Sequence, residues 1–211
     1  MALSPLLPLS LLLIVSFITN NKTLAGDPDI ISDFTVPQQT NNTSINGSFF
    51  TYTGLRGLLT HRPQTPQTSF KATKVTMLEF PALNGQSISY ALFQFPSGSI
   101  NPPHTHPRAS ELLFLLHGSL QVGFVDTKRG LYTQTVEAGD MFIFPKGLIH
   151  YQYNPHVAHA TAISAFPSAN AGTVSLPISL FGTGIDEVVL AKAFNIDVST
   201  VKKIIDSVNK S

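Results

Sequence analysis

The chain contains no cysteine and no tryptophan, and only 12% of its residues are charged. Without cysteine there is neither a disulfide framework nor a thiolate metal site, so core and subunit packing must hold the fold together. Thirteen basic and twelve acidic side chains leave a net charge of +1. The Lys and Arg residues are scattered, which speaks against nucleic acid or an anionic membrane as a partner. Long apolar runs are missing too, with one exception. Residues 6–18 are almost wholly apolar, but thirteen residues fall short of the roughly 20 needed to span a bilayer, and Pro8 interrupts them. A polar stretch follows at 19–23, and Thr23 and Ala25 stand at −3 and −1 of a cleavage after Ala25. This is the pattern of a secretory signal peptide, although Met1–Pro5 carries no Lys or Arg. The mature protein is therefore expected to be soluble, with no membrane span.

What is present is a β-type pattern. The 211 residues are 43% hydrophobic, with fifteen Phe, enough for one domain with a sizeable core and a lean towards oligomers. Short apolar runs at 87–95, 112–126, 132–136, 141–144, 150–153 and 159–166 are broken by Gly, Pro and Asn. Gly118 splits the second run in hairpin fashion. Many short strands at regular spacing predict an antiparallel sandwich or barrel. The segment before them is polar and reads as an extended arm. Sequons at Asn41, Asn42 and Asn46 make that arm a candidate for glycosylation in a secreted protein. Near the end the period changes, and residues 186–194 and 199–208 place apolar side chains at helical intervals, with Ser199 as the expected N-cap. Their apolar faces need a partner, either their own barrel or a neighbouring subunit.

Among seven histidines, His104 and His106 form an H-x-H pair. Residues two apart on a strand share a face, so both imidazoles can reach one point. Glu111 follows at an odd interval, which a turn over residues 107–110 would correct, because Pro107 cannot occupy a central ladder. His150 opens a later strand after Pro145-Lys146-Gly147. Three imidazoles and one carboxylate suit a divalent first-row ion and leave room for water or substrate if it is five- or six-coordinate. His61, His117, His156 and His159 read as ordinary core or surface histidines.

The spacing Gly98, His104, His106, Glu111, Gly118 and the later Gly139, Pro145, Gly147, His150, Asn154 resembles the two cupin motifs, with no gap. Asp27-Pro28-Asp29, Asn101-Pro102-Pro103 and Leu180-Phe181-Gly182 are similar to germin-like proteins over essentially the whole mature chain. The resemblance implies an all-β fold: a single cupin jelly-roll β-barrel with a C-terminal helical segment and an extended N-terminal arm. The expected boundaries are 1–25 signal peptide, 26–59 arm, 60–178 barrel and 179–211 helices. It further implies manganese as the ion at His104, His106, Glu111 and His150, with Asn101 and Asn154 as outer neighbours of the ligands. Homo-oligomers, hexamers built as trimers of dimers, in the extracellular space or apoplast follow from the same resemblance. So does a small anionic or dioxygen-derived substrate.

Two departures from the family pattern stand out. Thr35 occupies the place of the first cysteine of the family's usual disulfide. Oxalate-oxidising germins use two asparagines near the metal, and Asn101 matches one while Ala91 stands at the other. A dicarboxylate would lose a buried hydrogen bond there. The sequence thus points to superoxide dismutase-type activity in cell-wall or defence oxidative chemistry. A non-catalytic apoplastic glycoprotein or ligand-binding protein is the alternative, and oxalate oxidase comes after both.

Overall fold

The computed structural model describes residues 27, 30–37, 45–60 and 67–210. The expected signal peptide, Asn41, Asn42 and His61 lie outside the described residues. Within the described residues, alternation of apolar and polar side chains fixes which way each strand faces. In β9 (Ala160–Phe166), for example, Ala160, Ala162, Ser164 and Phe166 are buried, while the residues between them are half-exposed. Period-two burial of this kind places a strand with one face on a core.

Ten strands arrange this pattern into two five-stranded antiparallel sheets. They are β1 (Lys71–Val75), β2 (Ser89–Phe95), β3 (Ile100–Thr105), β4 (Glu111–His117), β5 (Ser119–Val125), β6 (Leu131–Glu137), β7 (Met141–Phe144), β8 (Ile149–Tyr153), β9 and β10 (Val174–Ser175). One sheet runs β1-β2-β9-β4-β7 and the other β10-β3-β8-β5-β6. Their inner faces meet on one core that includes Phe93, Phe95, Leu113, Leu115, Val122 and Phe144. The expected all-β jelly roll is the observed fold.

The hairpin expected at Gly118 is corrected. β4 pairs with β7 and β9, and β5 pairs with β6 and β8, so the chain changes sheet at this residue. Gly118 has φ +83, and a Cβ there would sit 2.8 Å from both the Ala160 Cβ and the His159 carbonyl oxygen. Only glycine tolerates that turn and that approach together. The apolar runs on either side look alike in sequence because each faces the same core from opposite sheets.

Four α-helices complete the described chain: α1 (Arg56–Thr60), α2 (Leu176–Phe181), α3 (Glu187–Phe194) and α4 (Val198–Val208). The N-cap of α4 is Asp197, not Ser199 as expected. The Asp197 carboxylate accepts from Thr200 N at 2.9 Å, and the Ser199 hydroxyl also donates to it. A carboxylate standing three residues before the free N–H is the better acceptor, and it complements the positive helix end. α3 and α4 pack their apolar faces on each other around Leu190, Ala191 and Val201, with Phe181 of α2 against them. Val188, Val189 and Phe194 remain exposed.

The described part of the arm docks on the barrel by hydrogen bonds. The Asp27 carboxylate accepts from Ser168 Oγ and Ala169 N. Thr35 Oγ1 donates to the Asn84 carbonyl at 2.9 Å, a non-covalent tie at the position where the family has cysteine. Asn46 is exposed, and its Oδ1 accepts from Ser48 N and Ser48 Oγ within its own sequon.

Candidate metal centre

Two sheets and one turn build the site. β3 and β8 are neighbours, and His104 is the direct cross-strand partner of His150. Pro102 and Pro103 carry no N–H, and the ladder is irregular between Asn101 and His104, which sets the aim of the His104 ring. The chain leaves β3 after Thr105, bends at Pro107-Arg108, and enters β4 on Glu111 in the opposite sheet. The turn expected from Pro107 is therefore present, and it returns Glu111 to the inside. One ligand atom from each of His104, His106, Glu111 and His150 lies within 4.8 Å of the others, and all four residues are buried.

The backbone decides which ring nitrogen faces inward. Carbonyl oxygens can only accept, so each histidine must donate from Nδ1: His104 to Pro102 O at 2.8 Å, His150 to Leu148 O at 2.8 Å and His106 to Gly172 O. All three Nε2 atoms then turn towards Glu111 Oε2, at 2.9 Å from His106, 3.2 Å from His150 and 3.9 Å from His104. Positive charge must sit among these atoms, as protons on Nε2 or as a shared cation. His104 settles which is the better fit. Burial first, then repulsion from His150, lowers its pKa to about 4, so it is neutral at pH 7 and directs a lone pair at the same point. A cation bound by three Nε2 atoms and one carboxylate oxygen satisfies every group at once. The donor set fits a divalent metal.

The other carboxylate oxygen is held apart. Glu111 Oε1 accepts from Ser164 Oγ at 2.7 Å and from Gln152 Nε2 at 3.1 Å. Asn101 Nδ2 in turn donates to Gln152 Oε1 at 2.7 Å. This chain orients Glu111 with one oxygen inward, and it reaches Asn101 beside His104. Burial would raise the Glu111 pKa, but hydrogen bonds from His106 and His150 overcome it and lower the value to about 2. Aromatic rings close the walls: Phe144 stacks on His150 at 4.6 Å between centroids, and Phe166 meets His106 edge-on at 4.8 Å.

Asn101 is thus placed as expected, next to the ligands, but Asn154 is not. Asn154 is fully buried; its Nδ2 donates to the carbonyls of Phe95, Pro96 and Ala158, and its Oδ1 accepts from His156 N. Its side chain is committed to pinning two loops, because buried backbone carbonyls need a donor. Gln152 and Ser164 take the role expected of it. Their facing, though not their contact with Glu111, had a signal in the sequence: Gln152 is two residues from His150 on one strand, and Ser164 interrupts the inward series Ala160, Ala162, Phe166. Among the remaining histidines, His117 and His159 have rings 5.3 Å apart on the surface, and His156 is exposed.

The two lowered pKa values give a pH prediction for metal-free protein. Below pH 6.5 an unfolded His104 takes up a proton that the folded one refuses until about pH 4. Below pH 4.5 unfolded Glu111 does the same, while the folded group holds out to about pH 2. In both windows the unfolded state binds more protons, so stability falls as pH falls. Thermal melts by circular dichroism in chelator should show Tm declining from pH 6.5 to pH 4 and again towards pH 2. A flat Tm between pH 6.5 and pH 4 would contradict the burial of a neutral His104.

A cavity of about 220 Å³ opens onto this cluster, lined by Ala91, Phe93, Asn101, His104, His106 and Phe166 among others. Comparison with known proteins gives the same architecture. The family model described as Cupin matches residues 56–202. Germin-like protein 9-3 of Oryza sativa subsp. japonica is 54% identical over 183 residues, which cover 86% of each chain. A putative germin-like protein 9-2 from the same plant is 52% identical over 204 residues, covering 97% of this chain and 95% of that one. A solved structure of oxalate oxidase superposes with TM-score 0.79 at 30% identity, covering 87% of this chain and 98% of that one.

Proposed function

As this chain belongs to the germin-like proteins of the cupin family, we propose that it is a manganese-dependent, superoxide dismutase-type protein of the extracellular space. The observation that carries the reading is the intact, buried three-histidine, one-glutamate cluster beside a cavity in which Ala91 replaces an amide. When bound, manganese would supply one-electron redox chemistry, oxidising one superoxide to dioxygen and reducing a second to hydrogen peroxide with two protons from solvent. The protein's part is placement. His104, His106 and His150 are locked by carbonyl acceptors, and Glu111 is held to a single inward oxygen by Ser164 and Gln152. Asn101 lines the cavity next to His104, where it can hydrogen-bond a small anion or its conjugate acid. Dismutation should be measured on manganese-loaded protein against His150→Ala. We expect the variant to lose nearly all of the rate, and equal rates would end the proposal.

Similarity to the oxalate oxidase structure favours a second reading, oxalate oxidation at the same cluster. Ala91 weighs against it, because its methyl group offers no hydrogen bond to a dicarboxylate. Peroxide released on addition of oxalate would reverse that order. Secretion is supported by the apolar N-terminal pattern, and glycosylation by the exposed sequon at Asn46. We also propose a homohexamer. Leu112, Leu116, Met141 and Ile143 stand on the outer face of β4 and β7, and Val188, Val189 and Phe194 stand out from α3, apolar side chains that a second copy could cover. A single-chain molar mass by light scattering would remove the hexamer.

A further inference from the structure

The lining of the cavity beside the cluster includes one cationic side chain, on the edge strand β1. Ala72 pairs directly with Phe93, and Lys74 pairs directly with Ala91. Opposed residues share a face, so Lys74 stands on the inward face, across from the residue that lacks an amide. It lines the cavity at an exposed rim. Among the described residues Lys74 makes no ion pair; its Nζ lies 3.4 Å from Thr173 Oγ1, on the segment that forms the opposite lip. Glu79, the next acid along the chain, accepts from Thr76 N at 2.9 Å and Thr76 Oγ1 at 2.7 Å, and acts on Lys74 only through space. The mouth of the cavity therefore presents one cation outside any direct ion pair, and a hydroxyl.

The walls behind that cation are mostly apolar. Phe70, Phe93, Phe166 and the Ala91 methyl group line the same cavity as Lys74, Asn101 and the histidines. A volume of about 220 Å³ is more than superoxide needs and below the roughly 300–1,000 Å³ of sites for larger ligands. A charge held against phenyl rings is costly without a partner. A single charge at the mouth with an apolar body packed on the rings meets no such penalty.

We propose that Lys74, set across the strand pair from Ala91, is the anion anchor of the metal cavity and makes it a site for small monocarboxylates with an apolar body. The carboxylate lies at Lys74 Nζ and Thr173 Oγ1, and the body packs on Phe70, Phe93 and Phe166. This specificity concerns the same cavity as the redox reading above, but it requires no electron transfer.

Calorimetric titration of the metal-loaded full-length protein tests it, with benzoate as probe and benzamide as the neutral isostere. Benzoate should bind saturably and more tightly than benzamide. Lys74→Gln should weaken benzoate at least fivefold and leave benzamide unchanged, while Lys74→Arg keeps benzoate binding. Lys74 is exposed, so neither substitution threatens folding. The proposal is overturned by absence of saturable benzoate binding, by benzamide binding as tightly as benzoate, or by a loss smaller than fivefold in Lys74→Gln. Failure of dismutation would leave these heats untouched, so the two readings fail separately.

Discussion

Replacing Glu111 by Gln is expected to strip the protein of its metal while leaving the barrel folded. Gln keeps the volume, and its amide oxygen can still accept from Ser164 Oγ and Gln152 Nε2, which now hold Glu111 Oε1. What disappears is the only negative charge among four ligands. Groups that merely orient ligands are worth about 10–100-fold in metal affinity, so loss of the anionic ligand itself should exceed that range. Element analysis after dialysis should show near-stoichiometric metal in the natural protein and a small fraction in the variant. Stability should diverge in parallel. An ion bound at a hundredfold above its Kd contributes about 2.7 kcal/mol. At roughly 2–4 °C per kcal/mol for a chain of this size, the natural protein should melt about 5–10 °C higher with metal than in chelator. Glu111→Gln should show no such difference. Full metal content in the variant would remove the carboxylate from the ligand set.

The largest stability loss is expected from Phe144→Ala. Phe144 ends β7, has no exposed surface, and opposes Glu111 across the β4–β7 ladder. Its ring also stacks on His150, with an interplanar angle of 22°. Truncation leaves a void beside Glu111 and His150, on a strand whose ladder to β4 limits how far it can collapse. Large-to-small changes of this kind cost about 3–5 kcal/mol, which corresponds to a Tm lower by roughly 6–20 °C. Because the His150 ring then loses a wall, metal affinity should also weaken. Leu116→Ala, on the outer face of β4, is the contrasting case and should lie within about 0.5 kcal/mol of the natural chain unless an oligomer contact covers it. Equal melting temperatures for Phe144→Ala and Leu116→Ala would mean that the inner face of the sheet has been misassigned.

The strands and the ligands were legible in the sequence for related reasons. β7 has its expected bounds, and β8 and β9 differ from expectation by single residues, because alternation and turn residues report facing directly. β1 and β10 escaped. β1 carries Lys at positions 71 and 74 and lies at a sheet edge, where burial leaves a weak pattern; β10 has two residues. Asn154 matched the family motif and was expected beside the metal, yet its bonds go to loop carbonyls. A motif records that a residue is needed at a position, and it does not record what the residue touches.

By itself, the sequence determined the strand periodicity, the His104–His106 pair and the turn that brings Glu111 back inside, because each depends on neighbours in the chain; His150 entered through the resemblance to the cupin motifs. Only the tertiary structure decided that Gly118 switches sheets, that Gln152 and Ser164 orient the carboxylate, and that Lys74 faces Ala91. Those facts depend on pairing between strands distant in sequence, and no local pattern of side chains specifies which strands will meet.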